Sequence, residues 1–167
     1  GGSDREPGDA VGLNGKPGTA VRTWAGAAYV YVRNGALWSQ KAYVKASNTG
    51  VTALFGSSVS LSGDSLAVGA FGEQSKATGV NGDQGDTTKS DAGAAYVFAR
   101  MGATWAQQAY VKASNAAQGA SFGASVAFSG HTLAVGSDRD TSAAIGLTGQ
   151  PRTAVLARPG AAYRVAL

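Results

Sequence analysis

Hydrophobic and polar residues alternate along this chain in short bursts, and the bursts come in pairs. From Phe55 to Leu61, the residues Phe55, Ser57, Val59 and Leu61 fall on one face, Ser62-Gly63-Asp64 interrupts the run, and Ser65 to Gly69 resumes it. Alternation with period two, broken by a glycine-containing turn, predicts a β-hairpin. The same hairpin is written again from Phe122 through Ser129-Gly130-His131 to Gly136, with Leu133 and Val135 in the places of Leu66 and Val68. Ala94 to Arg100 carries Tyr96 and Phe98 on one face and Ala95, Val97 and Ala99 on the other, so this third strand needs cover on both sides. Met101-Gly102-Ala103 then turns into a fourth strand, Thr104 to Ala113, with Trp105, Ala109 and Val111 facing one way.

The pattern repeats with a period of 67 residues, marked by Tyr29, Tyr96 and Tyr163. Lys41-Ala42-Tyr43-Val44-Lys45-Ala46-Ser47-Asn48 returns as Gln108-Ala109-Tyr110-Val111-Lys112-Ala113-Ser114-Asn115, and Trp38 maps onto Trp105. Four antiparallel strands per unit predict an all-β fold of β-propeller blades, because a unit that cannot bury both faces alone stacks on its neighbours. The chain divides into a partial unit at 1–54, a complete unit at 55–121 and a partial unit at 122–167. Labelled a to d from Phe55, its strands read b-c-d, a-b-c-d, a-b-c. That is about two and a half units, an incomplete ring within one chain, since propellers close with roughly four to eight blades. Gly2-Ser3-Asp4-Arg5 matches Gly136-Ser137-Asp138-Arg139 at twice the period, which makes the first residues repeat sequence. Either the units belong to a longer chain, or copies of this one complete each other through their open strands, in a ring if the pairing closes and a filament if it does not. The expectation is self-association.

Composition narrows the chemistry. Charged residues are 14% of the chain and the formal charge is +4, with Lys and Arg scattered rather than striped, so no nucleic-acid partner is expected. The absence of cysteine excludes disulfides and thiol chemistry, and no run approaches the roughly 20 apolar residues of a membrane-crossing helix. No membrane insertion is expected. His131, the one histidine, takes the hairpin-turn place that Asp64 holds a unit earlier, and a lone base without a nucleophile specifies no reaction. No serine sits in a nucleophile-elbow sequence. Gly12-Leu13-Asn14-Gly15-Lys16-Pro17-Gly18 lacks the Gly-Lys-Ser/Thr ending of a phosphate loop. The reading is therefore of a non-enzyme.

After each hairpin runs a loop of some twenty residues, long enough to be a candidate for function. In the middle unit it carries Asn81, Asp83, Asp86 and Asp91, hard oxygen donors in a glycine-containing loop, as a calcium site requires. The plainer reading is a solvated turn in which Asn and Asp cap their own backbone. In the other units Asp83 becomes Lys16 and Gln150, Asp86 becomes Thr19 and Thr153, and Asp91 becomes Trp24 and Arg158. Trp24 is therefore an unrepeated loop tryptophan and a candidate ligand contact. Trp38 and Trp105 suit either sugar stacking or blade packing, and packing is the better match to their repetition.

These residues resemble the FG-GAP repeat of integrin alpha-like propellers, in its bacterial form. The signature stands at Phe55-Gly56 and Phe122-Gly123, and its second half at Val68-Gly69-Ala70-Phe71-Gly72, with Phe71 where the family usually has proline. Trp105-Ala106-Gln107-Gln108-Ala109-Tyr110 and Gly79-Val80-Asn81-Gly82-Asp83-Gln84 extend the likeness over almost the whole chain. The resemblance implies a secreted or cell-surface binding and adhesion module, loops that hold calcium as the cofactor, and as partners either copies of itself or further propeller repeats, with an extracellular protein or a glycan as ligand. A structural subunit polymerising through blade edges and a carbohydrate-binding propeller are the alternatives.

Overall fold

A computed structural model describes residues 1–3, 13, 22–142 and 160–166. All regular structure among them is antiparallel β. Strands β1 (Gly2–Ser3), β2 (Ala27–Asn34) and β3 (Leu37–Val44) form one sheet in that order. β4 (Ser58–Ser62), β5 (Ser65–Ala70), β6 (Ala94–Met101) and β7 (Thr104–Val111) form the second. β8 (Phe122–Ser129), β9 (Thr132–Ser137) and β10 (Ala161–Ala166) form the third. The b-c-d, a-b-c-d, a-b-c succession thus appears as sheets of three, four and three strands.

Four hairpins close by one formula. Ser62 pairs with Ser65 across Gly63-Asp64, Met101 with Thr104 across Gly102-Ala103, Asn34 with Leu37 across Gly35-Ala36, and Ser129 with Thr132 across Gly130-His131. In each, a glycine stands first and takes a left-handed φ of 55 to 62°, the backbone twist that a two-residue turn needs to match its strands. His131 is an exposed turn residue, as its position predicts.

The strands stack through two cores. One lies between the first and second sheets and includes Val30, Val44, Phe55, Val68, Tyr96 and Phe98. The other lies between the second and third and includes Ala67, Val97, Phe122, Leu133 and Val135. β6 sits between both cores, with Tyr96 and Phe98 in one and Ala95 and Val97 in the other, as its two apolar faces require. The Phe-Gly signature is the joint. Phe55 bridges Gly26, and Phe122 bridges Gly93, in parallel orientation. Each phenyl ring then meets edge-on a tyrosine of the third strand of its own unit, Phe55 against Tyr96 of β6 at 5.2 Å and Phe122 against Tyr163 of β10 at 5.1 Å. Gly26 and Gly93 hold φ near +80°, and a Cβ on either would stand 2.0–2.1 Å from the phenylalanine carbonyl oxygen. No side chain fits there.

Trp105 does not face the same way as Ala109 and Val111: it packs in the first core with Tyr110 while they lie in the second, because a bulge shifts the register of β7 against β6 between Val97 and Phe98. Two expectations about burial also need correction. On the face of Phe55, Ser57, Val59 and Leu61 only Phe55 is buried; Val59 and Leu61 are 38% and 58% exposed. Trp105 is buried, whereas its repeat equivalent Trp38 is 67% exposed. In both cases the residue is sound packing material, and no neighbouring strand among the described residues covers it.

Candidate functional site

The long loop between β5 and β6 was the candidate cation site, and its backbone shows what it does. Asn81 donates its N–H to the Tyr110 carbonyl at 2.7 Å and accepts the Tyr110 N–H on Oδ1 at 2.9 Å. Lys112 donates its N–H to the Gly79 carbonyl. The loop therefore runs as an extra rung along β7, covering an edge that would otherwise present bare N–H and C=O groups. Leu13, one period before Val80, bridges Val44 of β3 in the same way.

The remaining acids serve the loop itself. Asp83 Oδ1 accepts the Gly85 N–H at 2.8 Å, and Asp86 accepts the Thr88 N–H and hydroxyl. Asp86 also pairs with Lys76 at 2.5 Å, and that bond, with help from Thr88, holds its carboxyl down at about 2. Asp91 takes a left-handed φ of 54° and offers its backbone carbonyl to the Ser121 N–H. These residues do not fit calcium as arranged: the Asn81 oxygen serves β7, Asp86 carries a cation already, and among the described residues no three His, Asp or Glu side chains gather as a metal site needs. Short polar side chains capping local backbone account for the pattern. Trp24 occupies the turn equivalent to Asp91, with φ 59° and its carbonyl accepting the Leu54 N–H, and it is 48% exposed. Lys16, Thr19, Gln150, Thr153 and Arg158, which replace the acids in the other units, lie outside the described residues.

Sequence reasoning missed a buried polar cluster. Glu73, on the far side of β5, is 2% exposed and pairs with the fully buried Lys112 at 2.6 Å. The same carboxylate accepts Asn48 Nδ2 at 2.8 Å and the Ser75 N–H at 3.1 Å. Tyr96 donates its hydroxyl to Asn48 Oδ1 at 2.5 Å, and the Ser75 and Tyr110 hydroxyls share a hydrogen bond. Asn48 follows β3, whereas Glu73 follows β5 and Tyr96 lies on β6 of the second sheet, so the cluster ties one blade to the next. One period later Asn115 donates to Asp140 at 3.2 Å and accepts Tyr163. Burial pushes Asp140 up, but hydrogen bonds from Tyr163, Ser142 and Asn115 outweigh it and hold the carboxyl below its usual range. Burial likewise pushes the Tyr96, Tyr110 and Tyr163 hydroxyls well up. Lys112 is pushed down by burial, against the attraction of Glu73. The signal was available: an acid at Glu6, Glu73 and Asp140 and a lysine at Lys45 and Lys112 keep the period. Glu6 itself lies outside the described residues.

The cluster joins the first sheet's Asn48 to a buried ion pair and hydroxyls of the next unit, and it reads as a joint. An open groove lies elsewhere. A groove of about 420 Å³ lies between the first two sheets, lined by Ala28, Val30, Tyr31, Trp38, Val59 and Leu61 among others. It is apolar and aromatic.

Comparison with curated proteins gives no match. The family model of the FG-GAP repeat matches residues 38–98 and again 105–151. Those two spans begin at repeat-equivalent tryptophans and carry both Phe-Gly joints; this chain belongs to the FG-GAP repeat family, whose repeats build β-propeller-type modules.

Proposed function

We propose that this chain is a non-catalytic binding and adhesion module, working outside the cell or at its surface, and completed by copies of itself. FG-GAP repeats are typically extracellular and typically non-catalytic, and no helix among the described residues is long and apolar enough to cross a membrane. The observation that carries the reading is the asymmetry of equivalent faces. Phe98 and Trp105 are 0% and 6% exposed under the preceding blade, while Tyr31 and Trp38, their counterparts, are 48% and 67% exposed. An aromatic face of this kind is interface material.

Sedimentation velocity across a concentration series tests the self-association, and the reading expects a mass of at least two copies at micromolar concentration. A chain that stays monomeric at about 100 μM overturns it, since a specific interface of that weakness gains less than about 6 kcal/mol. Binding to arrays of extracellular matrix proteins and glycans tests the ligand. The exposed Trp24 and Trp38 favour a second reading, a carbohydrate-binding propeller. There, glycan binding falls at least tenfold in Trp24→Ala or Trp38→Ala.

A further inference from the structure

We infer that Lys112 and Asn48 join in an isopeptide bond, formed within the folded chain with loss of ammonia, so that one blade is stapled covalently to the next. This goes beyond the binding and adhesion reading and stands whether or not copies associate.

The inter-blade joint gathers the three groups that this chemistry needs. Lys112 brings an amine and Asn48 a carboxamide, and Glu73 holds one on each of its oxygens. Its Oε2 meets Lys112 Nζ at 2.6 Å, and its Oε1 accepts Asn48 Nδ2 at 2.8 Å. The partners also fix which way the amide points. A carboxylate only accepts, so the Asn48 nitrogen faces Glu73, and the Tyr96 hydroxyl donates to Oδ1 at 2.5 Å. That hydroxyl stands on the oxygen where negative charge collects when a nucleophile adds to Asn48 Cγ. One period later Asn115, Asp140 and Tyr163 repeat the acceptor half of this geometry.

Burial prepares the amine. The Lys112 side chain has no exposed surface and Glu73 is 2% exposed. Desolvation pushes the ammonium down, against the attraction of Glu73, which makes a proton easier to release than it is in water. Glu73 is held in place by the Ser75 N–H at 3.1 Å and the Ser75 hydroxyl at 3.4 Å. The same burial keeps out water, the competing nucleophile.

The step balances without a co-reactant. Lys112 Nζ gives a proton to Glu73, and its lone pair attacks Asn48 Cγ while the carbonyl electrons move onto Oδ1, against the Tyr96 hydroxyl. Glu73 passes its proton to Nδ2 and takes the second proton from Nζ. The Cγ–Nδ2 bond then breaks, the carbonyl reforms, and ammonia leaves with the proton that Glu73 last received. A secondary amide remains, between the residue that follows β3 and the residue that follows β7. Until the bond forms, charge and hydrogen bonds alone hold the joint.

Intact-mass spectrometry of the full chain, kept overnight at physiological temperature, tests the bond. The chain is expected to weigh less than its sequence by one ammonia, about 17 Da. Trypsin places the loss, because it cannot cut after an acylated Lys112: residues 46–76 are expected to stay joined to residues 101–139. Asn34 and Asn81 each precede a glycine, and a succinimide at either removes the same mass without joining two peptides. Full mass, or a loss confined to those positions, overturns the bond. Both readings come from the unaltered chain, so a variant that fails to fold cannot hide the answer. Lys112→Arg, which keeps the cation but offers no nucleophilic amine at neutral pH, and Glu73→Gln, which removes the proton carrier, are expected to keep full mass. Tyr96→Phe is expected to leave a full-mass fraction that the unaltered chain lacks. Joined peptides at undiminished yield in both Glu73→Gln and Tyr96→Phe would overturn the assignment of this chemistry to the joint.

Discussion

Replacing Lys112 with methionine isolates the energetics of the inter-blade joint. The substitution keeps most of the side-chain volume and removes the ammonium, leaving Glu73 2% exposed with no other ion-pair partner among the described residues. Stripping one partner from a buried pair costs about 3–5 kcal/mol, because the remaining charge has lost its water and its counter-ion together. Glu73 keeps three hydrogen bonds, from Asn48 Nδ2 at 2.8 Å, the Ser75 N–H at 3.1 Å and the Ser75 hydroxyl at 3.4 Å, which sets the expected loss at the lower end, about 3 kcal/mol. Adding Glu73→Gln removes the stranded charge while keeping an acceptor for Asn48, and Lys112→Met/Glu73→Gln is expected to regain more than half of that loss. Urea unfolding followed by far-ultraviolet circular dichroism, with the four corners of the cycle fitted to a shared slope, measures the coupling. The exposed pair Arg100–Asp64, with side chains 43% and 62% exposed, is the control; Arg100→Met should cost at most about 1 kcal/mol. Equal costs for Lys112→Met and Arg100→Met would refute the view that burial gives the joint its weight.

Three further outcomes follow from other positions. Gly93→Ala is expected to cost at least about 3 kcal/mol or abolish soluble expression, because it adds a clash with the Phe122 carbonyl to left-handed strain, whereas Gly102→Ala, facing open space at φ 62°, should cost about 1 kcal/mol; equal melting temperatures would overturn this. Tyr96, Tyr110 and Tyr163 all have hydroxyls raised above the ordinary 10.0, so the folded state holds protons that the unfolded chain releases. Their stabilisation is fully present below pH 10 and is lost as pH rises above it; a stability curve flat from pH 8 to 11.5 would contradict the burial of the three hydroxyls. Millimolar calcium is expected to leave the melting temperature within about 1 °C, and a shift of several degrees that disappears in Asp83→Asn/Asp86→Asn would restore the loop as a cation site.

The blade was legible because strand alternation and glycine turns act locally and the period shows them twice. Phe55 and Tyr96 announced a core by type alone. The joint was not legible for the opposite reason: a lysine just past a strand, such as Lys112, ordinarily reads as a solvated end, and its burial depends on Glu73, 39 residues away. Asn81 misled in a related way, since an oxygen donor in a loop looks the same whether it faces a cation or the N–H of β7. The exposure of Trp38 beside the burial of Trp105 lay beyond any single unit, for it depends on which strands stand in front of each.

Asn48 accepts a hydroxyl with one end of its amide and donates to a carboxylate with the other. Both of these partners lie in the following unit. At both described seams the forward-facing half of a fastener, Asn48 or Asn115, follows a unit's last strand, and the backward-facing half, Glu73 with Tyr96 or Asp140 with Tyr163, stands in the next unit. A gene segment copied in tandem at this period yields a product whose new neighbour already fits, with no second mutation needed to make the surfaces compatible. Array length can change by whole units while the chemistry of the seam stays constant.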